Sequence, residues 1–268
     1  MILKGKTVVK VPRRKYWRIV AGMDSDRLVA LVAELKSAYV GFTWESELWT
    51  RVGCRRSPYR TLVLFGLSAR TRDALLVEMC RELFRRIPTA DALAQAGELA
   101  GDAVGDIVRP GQIPFVLSAA RVLGNGVPER REGLLGIRGV GDKIAECVLA
   151  YGWGEEALPL DANCVRVLQR VFGLEHEDRN PAALRQELKS VYLKKTTDFA
   201  SLSVGMVDIH EILRLHGQTC CARTPICRQC PATGCLSRRE PWDQSAEMEL
   251  DQSIWDDWRE LINEPAAV

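Results

Sequence analysis

Three groups of side chains in this chain have the types and the spacing to do chemistry. Lys143 stands in Leu135-Gly136-Ile137-Arg138-Gly139-Val140-Gly141-Asp142-Lys143, and Asp161 follows eighteen residues later in Pro159-Leu160-Asp161-Ala162-Asn163-Cys164. A neutral lysine amine is a nucleophile that forms Schiff bases, and a carboxylate can stabilise a cation or take up a proton. The third group is Cys220, Cys227, Cys230 and Cys235, with gaps of six, two and four residues, and Cys221 adjoins the first of them. Four thiolates so close in sequence bind structural zinc or an iron-sulfur cluster, and spacing alone does not choose between the two. Taken singly, each residue has a plainer reading. Lys143 is then a solvated helix lysine, Asp161 a helix N-cap, and the scattered Cys54, Cys80, Cys147 and Cys164 small buried hydrophobes.

These groups must be carried by rigid elements, and the sequence reads as a succession of short helices. Asp24-Ser25-Asp26 offers caps for a helix in which Leu28, Leu31, Val32, Leu35 and Tyr39 recur at helical spacing. Ser57-Pro58 predicts another start, with proline at the first helical position. Helices are expected over Thr71 to Phe84, Asp91 to Ala96, Ala103 to Val108 and Pro114 to Leu123, each closed by a glycine, proline or polar break. Beyond Asp161 the spacing resumes at Val165, Leu168, Val171 and Phe172 and stops at Gly173, followed by helices over Pro181 to Tyr192 and Ser201 to Leu215. Leu250, Ile254, Trp255, Trp258 and Leu261 suit an amphipathic helix within Trp242 to Ile262. No stretch alternates strongly enough to need a sheet, so the expected class is all-α.

Between two of the short helices lies Arg138-Gly139-Val140-Gly141. Its glycines permit backbone conformations closed to other residues, and the helix that starts at Asp142 exposes unpaired N–H groups suited to a phosphate. An ordinary tight turn is the plainer reading of these four residues alone.

Charge narrows the partner. The net charge of +2 is the sum of two unequal parts: residues 240 to 268 carry nine acidic residues and one basic, leaving a body of net +10. A body that basic suits a polyanion, and the acidic tail either shields it, meets a protein partner or is simply solvated. Residues 1 to 23 read as a basic extended arm. No apolar run is long enough to span a bilayer, and the charged N-terminus does not resemble a signal peptide, which predicts a cytoplasmic protein with no membrane partner.

Ile137-Arg138-Gly139-Val140-Gly141-Asp142-Lys143, with Asp161 beginning a later helix and the cysteines after His216-Gly217, resembles the helix-hairpin-helix DNA glycosylases, in particular their endonuclease III-like branch. The resemblance runs from about Ser57 to Cys235. It implies a two-lobed all-α fold: residues 1 to 56 an arm and helix of the cluster lobe, 57 to 157 a helical barrel lobe with the hairpin, 158 to 239 the cluster lobe, and 240 to 268 a tail outside the family pattern. It implies that a damaged base is extruded from double-stranded DNA. Lys143 then attacks the sugar's anomeric carbon, forming a Schiff base that leads to strand cleavage, while Asp161 stabilises the cationic sugar. The attack requires a neutral amine, which desolvation or neighbouring cations favour. The expected activity is therefore base excision of damaged, oxidised pyrimidines with associated lyase activity at abasic sites, by a monomer. The resemblance also selects a 4Fe-4S cluster on Cys220, Cys227, Cys230 and Cys235, and a DNA-contacting set of Arg70, Arg138, Gly139, Val140, Gly141 and Arg223.

The chain departs from that pattern in ways that bear on substrate. Arg70 stands where the branch has a gap-filling glutamine, Arg138 replaces the hairpin proline, and the last cysteine gap is four residues rather than five, with Cys221 competing for the first ligand position. Leu160 to Val167 also looks like the mismatch-specific thymine and adenine glycosylases, which generally have tyrosine or serine in place of Lys143. Two alternatives follow: a monofunctional mismatch or uracil glycosylase in which Lys143 only contacts phosphate, and a non-catalytic iron-sulfur DNA-binding protein.

Overall fold

The structure is a computed structural model that describes residues 23–39, 56–69, 71–174 and 180–239. The basic arm, Arg70 and the acidic tail with its amphipathic stretch lie outside the described residues. The described residues form helices α1 Ser25–Ala38, α2 Pro58–Leu67, α3 Asp73–Arg86, α4 Ala90–Ala96, α5 Ala100–Val104, α6 Ile113–Val122, α7 Arg131–Leu135, α8 Asp142–Cys147, α9 Ala162–Phe172, α10 Pro181–Lys194, α11 Thr196–Ser201 and α12 Met206–Gln218. After α8 the chain continues as a π-helical segment, Val148–Trp153. The fold is all-helical: among the described residues no strand occurs, and a lone bridge joins Gly124 and Gly126. No helix among them is long and apolar enough to cross a membrane.

The helix starts follow local chemistry. The Asp24 carboxylate accepts from the N–H groups of Asp26 and Arg27, Ser57 Oγ from Arg60 N with Pro58 at the first position, and Asn180 from Ala182 N. Three boundaries differ from the sequence reading. The helix expected from Thr71 starts at Asp73, because Thr71 belongs to the preceding turn: its N–H donates to the Ser68 carbonyl and its hydroxyl to the Leu67 carbonyl. The helix expected over 103–108 runs from Ala100 and stops at Val104. The stretch 201–215 is broken in two: Ser203 takes a left-handed φ of 52°, and α12 restarts at Gly205, whose N–H donates to Asp208 Oδ2.

Two hydrophobic cores divide the chain. Side chains between Tyr59 and Ala157 form one, around Leu62, Phe65, Leu76, Phe115 and Val148. Side chains of 23–39 and 158–235 form the other, around Leu31, Leu35, Leu168, Phe199 and Leu213. The second is built on α9, where Cys164, Val167, Leu168, Val171 and Phe172 fall on one face and pack along α12. Each large aliphatic side chain buried there contributes about 1.5–3 kcal/mol of transfer free energy. Chain crossing from the first core to the second falls between Ala157 and Leu158.

Candidate active site and thiol cavity

The hairpin is held from within. Ile137 and Val140 are buried in the first core, while Arg138, Gly139 and Gly141 are exposed. The turn closes through Val140 N to the Ile137 carbonyl at 3.0 Å, and Arg138 N donates to Ser118 Oγ at 2.8 Å. Gly139 sits at φ 91°, a left-handed conformation that any side chain would strain. An ion pair between Arg131 and Asp142 ties α7 to the start of α8. Gly141, the N-cap of α8, has no side chain to offer the first-turn N–H groups. Of the predicted DNA-contacting residues, Val140 therefore has only main chain to present. Arg223 is exposed in the cysteine loop, its carbonyl accepting from Arg170 at 3.1 Å.

Lys143 lies in the first turn of α8, half-buried, with Nζ 4.3 Å from the centroid of the Phe65 ring. Phe65 stacks in turn on Tyr151 of the π-helical segment, centroids 5.6 Å apart. Burial pushes the Tyr151 phenol well up, so it keeps its proton and donates it to Glu211 of α12. Glu211 is buried, and desolvation alone would raise its carboxyl. The Arg214 guanidinium, 3.2 Å away, and His210 outweigh that effect and hold it below the usual range.

Asp161 is the N-cap of α9: one carboxylate oxygen accepts from Asn163 N at 2.8 Å and Cys164 N at 2.9 Å, the other from the Asn163 amide at 3.1 Å. Desolvation would raise its carboxyl, but His210, the Cys164 N–H and Arg214 outweigh it, so Asp161 lies below the ordinary carboxylate range and is ionised at neutral pH. His210 is fully buried, with Nδ1 3.6 Å from Cys164 Sγ, and burial pushes it down to about 4. The charges of Lys143 and Asp161 both act on this histidine and on the buried Cys147 thiol, itself pushed up to about 12 by burial.

Gly217 explains the His-Gly pair in structural terms. A Cβ there would stand 2.7 Å from Asn163 Cβ and 2.9 Å from its carbonyl oxygen, so only glycine lets α12 close on the residue that orients Asp161. Phe65, Tyr151, His210, Glu211 and Arg214 escaped the sequence reading. One signal was present: α12 is apolar and buried at Ile209, Ile212, Leu213 and Leu215, yet carries four ionisable side chains, His210, Glu211, Arg214 and His216, that are buried as well. Buried charges require partners, and a helix with such charges borders a polar network.

Cys220, Cys227, Cys230 and Cys235 line one cavity of 160 Å³ together with Cys221, His216 and Arg170. Among the described residues no three His, Cys, Asp or Glu side chains converge closely enough to hold a single metal ion. The thiols surround a volume instead of a point, a volume comparable to engineered cavities that admit benzene. The all-sulfur donor set and this spread fit a polynuclear cluster better than one ion. Cys221 is differently engaged: its Sγ accepts from Arg170 at 3.4 Å and its carbonyl from Arg166 and Arg170 at 3.0 and 3.1 Å. His216 bridges Cys230 Sγ, 3.6 Å from Nε2, and the Tyr39 hydroxyl, 2.7 Å from Nδ1.

No protein-family model matches the chain. Among curated proteins, it is 28% identical over 221 residues to a thymine-DNA glycosylase of Aeropyrum pernix, covering 78% of this chain and 94% of that one. It is 27% identical over 195 residues to a thymine/uracil-DNA glycosylase of Pyrobaculum aerophilum, covering 68% and 80%. It is 29% identical over 184 residues to endonuclease III of Escherichia coli, covering 65% and 81%. Solved structures with the same fold include a thermostable thymine-DNA glycosylase, with TM-score 0.60, 20% identity and coverage of 80% of this chain and 97% of that one. They also include a non-covalent endonuclease III-DNA complex, with TM-score 0.60, 21% identity and coverage of 81% and 98%. With the hairpin, the capping aspartate and the two-core helical architecture, the chain has the helix-hairpin-helix glycosylase fold and is similar in sequence to thymine-DNA glycosylases and to endonuclease III.

Proposed function

We propose that the protein is a base-excision DNA glycosylase with associated lyase activity, acting as a monomer in the cytoplasm on damaged, oxidised pyrimidines in duplex DNA. What supports this reading is Lys143 in the first turn of α8, its Nζ 4.3 Å from the centroid of the Phe65 ring, together with Asp161 held as the N-cap of α9 by the N–H groups of Asn163 and Cys164. In the proposed reaction the Lys143 nitrogen forms a bond to C1′ as the bond from C1′ to the base breaks, and the base leaves with the electron pair and takes up a proton. The amine gives up a proton, the bond from C1′ to the ring oxygen opens to the imine as that oxygen keeps the pair and takes up a proton, and loss of a C2′ proton breaks the C3′–O bond so that the 3′ phosphate leaves with its electron pair. Asp161, ionised by its surroundings, stabilises the cationic sugar and is assigned as the acceptor of the amine proton.

The exposed main chain of 138–141 is assigned to the DNA backbone, with Arg138, Arg223 and Arg70 as further DNA contacts. The two cores are read as a barrel lobe over 57–157 and a cluster lobe over 158–239 joined by the N-terminal helix, with the acidic tail free for a protein partner. Cys220, Cys227, Cys230 and Cys235 are assigned to a 4Fe-4S cluster. When bound, such a cluster supplies a covalent cross-link of the loop and one-electron redox chemistry, and no step of base excision runs through it.

A second reading is favoured by the thymine and thymine/uracil glycosylases among the relatives. In it the enzyme excises a mispaired thymine or uracil with water as nucleophile, and Lys143 only contacts phosphate. Incubation with duplexes carrying an oxidised pyrimidine, uracil, thymine opposite guanine, or an abasic site separates the readings. Excision of the oxidised base with strand cleavage is expected. Excision of uracil or thymine that leaves the strand intact supports the second reading, and binding without excision of any substrate refutes both.

A further inference from the structure

One residue between the two cores is gripped through both its backbone N–H and its carbonyl by buried charged side chains. Leu158, 1% exposed, is where the chain passes from the first core into the second, and its N–H donates to Glu146 Oε2 at 3.1 Å while its carbonyl accepts from Arg185 Nε at 3.2 Å. Glu146 and Arg185 are themselves 4% and 6% exposed. Glu146 projects from α8, one turn after Lys143, and Arg185 from α10 in the other core. Lys189 of α10 approaches the same Glu146 oxygen at 3.5 Å, and Arg131 of α7 lies 3.7 Å from the other. Three residues beyond Leu158 stands Asp161.

Burying charged groups is costly unless they are fully paired, and apolar residues would hold two helices together at less expense. What charged groups add is geometry: a hydrogen-bonded peptide cannot slide by a fraction of an ångström as an aliphatic contact can. We propose that Glu146 and Arg185 are positioning residues that fix the crossover between the lobes, and so set the placement of Asp161 relative to Lys143. This inference rests on the catalytic assignment of those two residues. Glu146 does not touch the reacting atoms; it acts through Leu158 and the short segment Pro159-Leu160.

The test is single-turnover excision and borohydride trapping by the full-length protein, with DNA affinity and thermal unfolding measured in parallel. Glu146→Gln keeps an oxygen for the Leu158 N–H and Glu146→Leu does not; Arg185→Met removes the donor to the carbonyl while keeping the stem. Because small misplacements of reacting groups cost about 100-fold in rate, Glu146→Leu and Arg185→Met are expected to lose ~100-fold in the chemical step with DNA affinity within about threefold, and Glu146→Gln to remain within about fivefold of wild type. Folded Glu146→Leu and Arg185→Met proteins that react at the wild-type rate overturn the proposal, as does a Glu146→Gln variant as slow as Glu146→Leu. If Glu146→Leu does not fold, Arg185→Met and the Gln rescue decide. An inactive wild type overturns the assignment of Lys143 and Asp161, and the positioning role with it, whereas active wild type with indifferent variants overturns the positioning role alone.

Discussion

Lys143 Nζ stands over the face of Phe65, 4.3 Å from the ring centroid, and Phe65 is backed by Tyr151. A ring face holds a cation with about 0.5–2 kcal/mol, depending on solvation. The platform orients the amine that must attack. Phe65→Leu keeps the apolar bulk but loses this hold, and an expected ~10-fold fall in the rate of adduct trapping follows from the looser amine, while Phe65→Tyr retains the wild-type rate. Quench-flow trapping with borohydride measures both; equal rates for Phe65→Leu and wild type would remove Phe65 from the site.

Asp161 has two duties that substitution can separate. Asparagine caps a helix nearly as well as aspartate, whereas alanine leaves the Asn163 and Cys164 N–H groups without their acceptor. Asp161→Ala is therefore expected to lose about 1 kcal/mol of stability and Asp161→Asn much less. Both lose the negative charge, and excision is expected to fall at least about 100-fold in each. Urea unfolding beside single-turnover kinetics checks the separation. An active Asp161→Asn protein would leave Asp161 as a cap and nothing more.

His210 gives the fold a pH dependence of defined sign. Its folded value, pushed down to about 4, lies below the ordinary 6.5, so between these limits the unfolded chain binds the proton and the native state does not. Stability supplied by neutral His210 is present above the upper limit and lost as pH falls toward the lower one, by up to about 3 kcal/mol. The depressed carboxyls of Asp161 and Glu211 add losses of the same sign only at lower pH, below the ordinary carboxylate range. His210→Asn is expected to flatten the wild-type slope between pH 6.5 and 4 in denaturant titrations. Parallel slopes for the two proteins would show that His210 titrates normally.

Much of this site was legible in the sequence because it rests on local rules. Gly139 at a left-handed turn, Asp161 as a cap and Pro58 at a helix start are choices made within a few residues, and the structure has each in that role. What local patterns do not contain is which helix meets which. Phe65 precedes Lys143 by seventy-eight residues, and Glu211 follows Tyr151 by sixty; each pair is joined only when the helices pack. The same holds for helix ends. Ser201 to Leu215 reads as one periodic stretch, yet the cap that Asp208 gives Gly205 breaks it in two. Arg70, on which the substrate reading partly turned, lies outside the described residues.

The cysteine loop offers five thiols for four positions. Cys221 is held through its carbonyl and Sγ by Arg166 and Arg170, while Cys220 Sγ donates to the Ile226 carbonyl, 3.3 Å away within the loop, and pairs with the Cys230 thiol. Cys220→Ser is expected to lose bound iron and visible absorbance, and Cys221→Ser to keep both. Iron and sulfide analysis of the purified proteins decides, and zinc in place of iron in the wild type would contradict the cluster assignment.

The central claim is that the Lys143 nitrogen becomes covalently bound to the sugar. Borohydride reduction during reaction with an abasic-site duplex captures such an imine as a stable protein-DNA adduct, and mass spectrometry of the digested adduct locates the attachment. The account predicts one adduct, on Lys143, absent from Lys143→Ala. An adduct of undiminished yield in Lys143→Ala, or attachment at another residue, would contradict it.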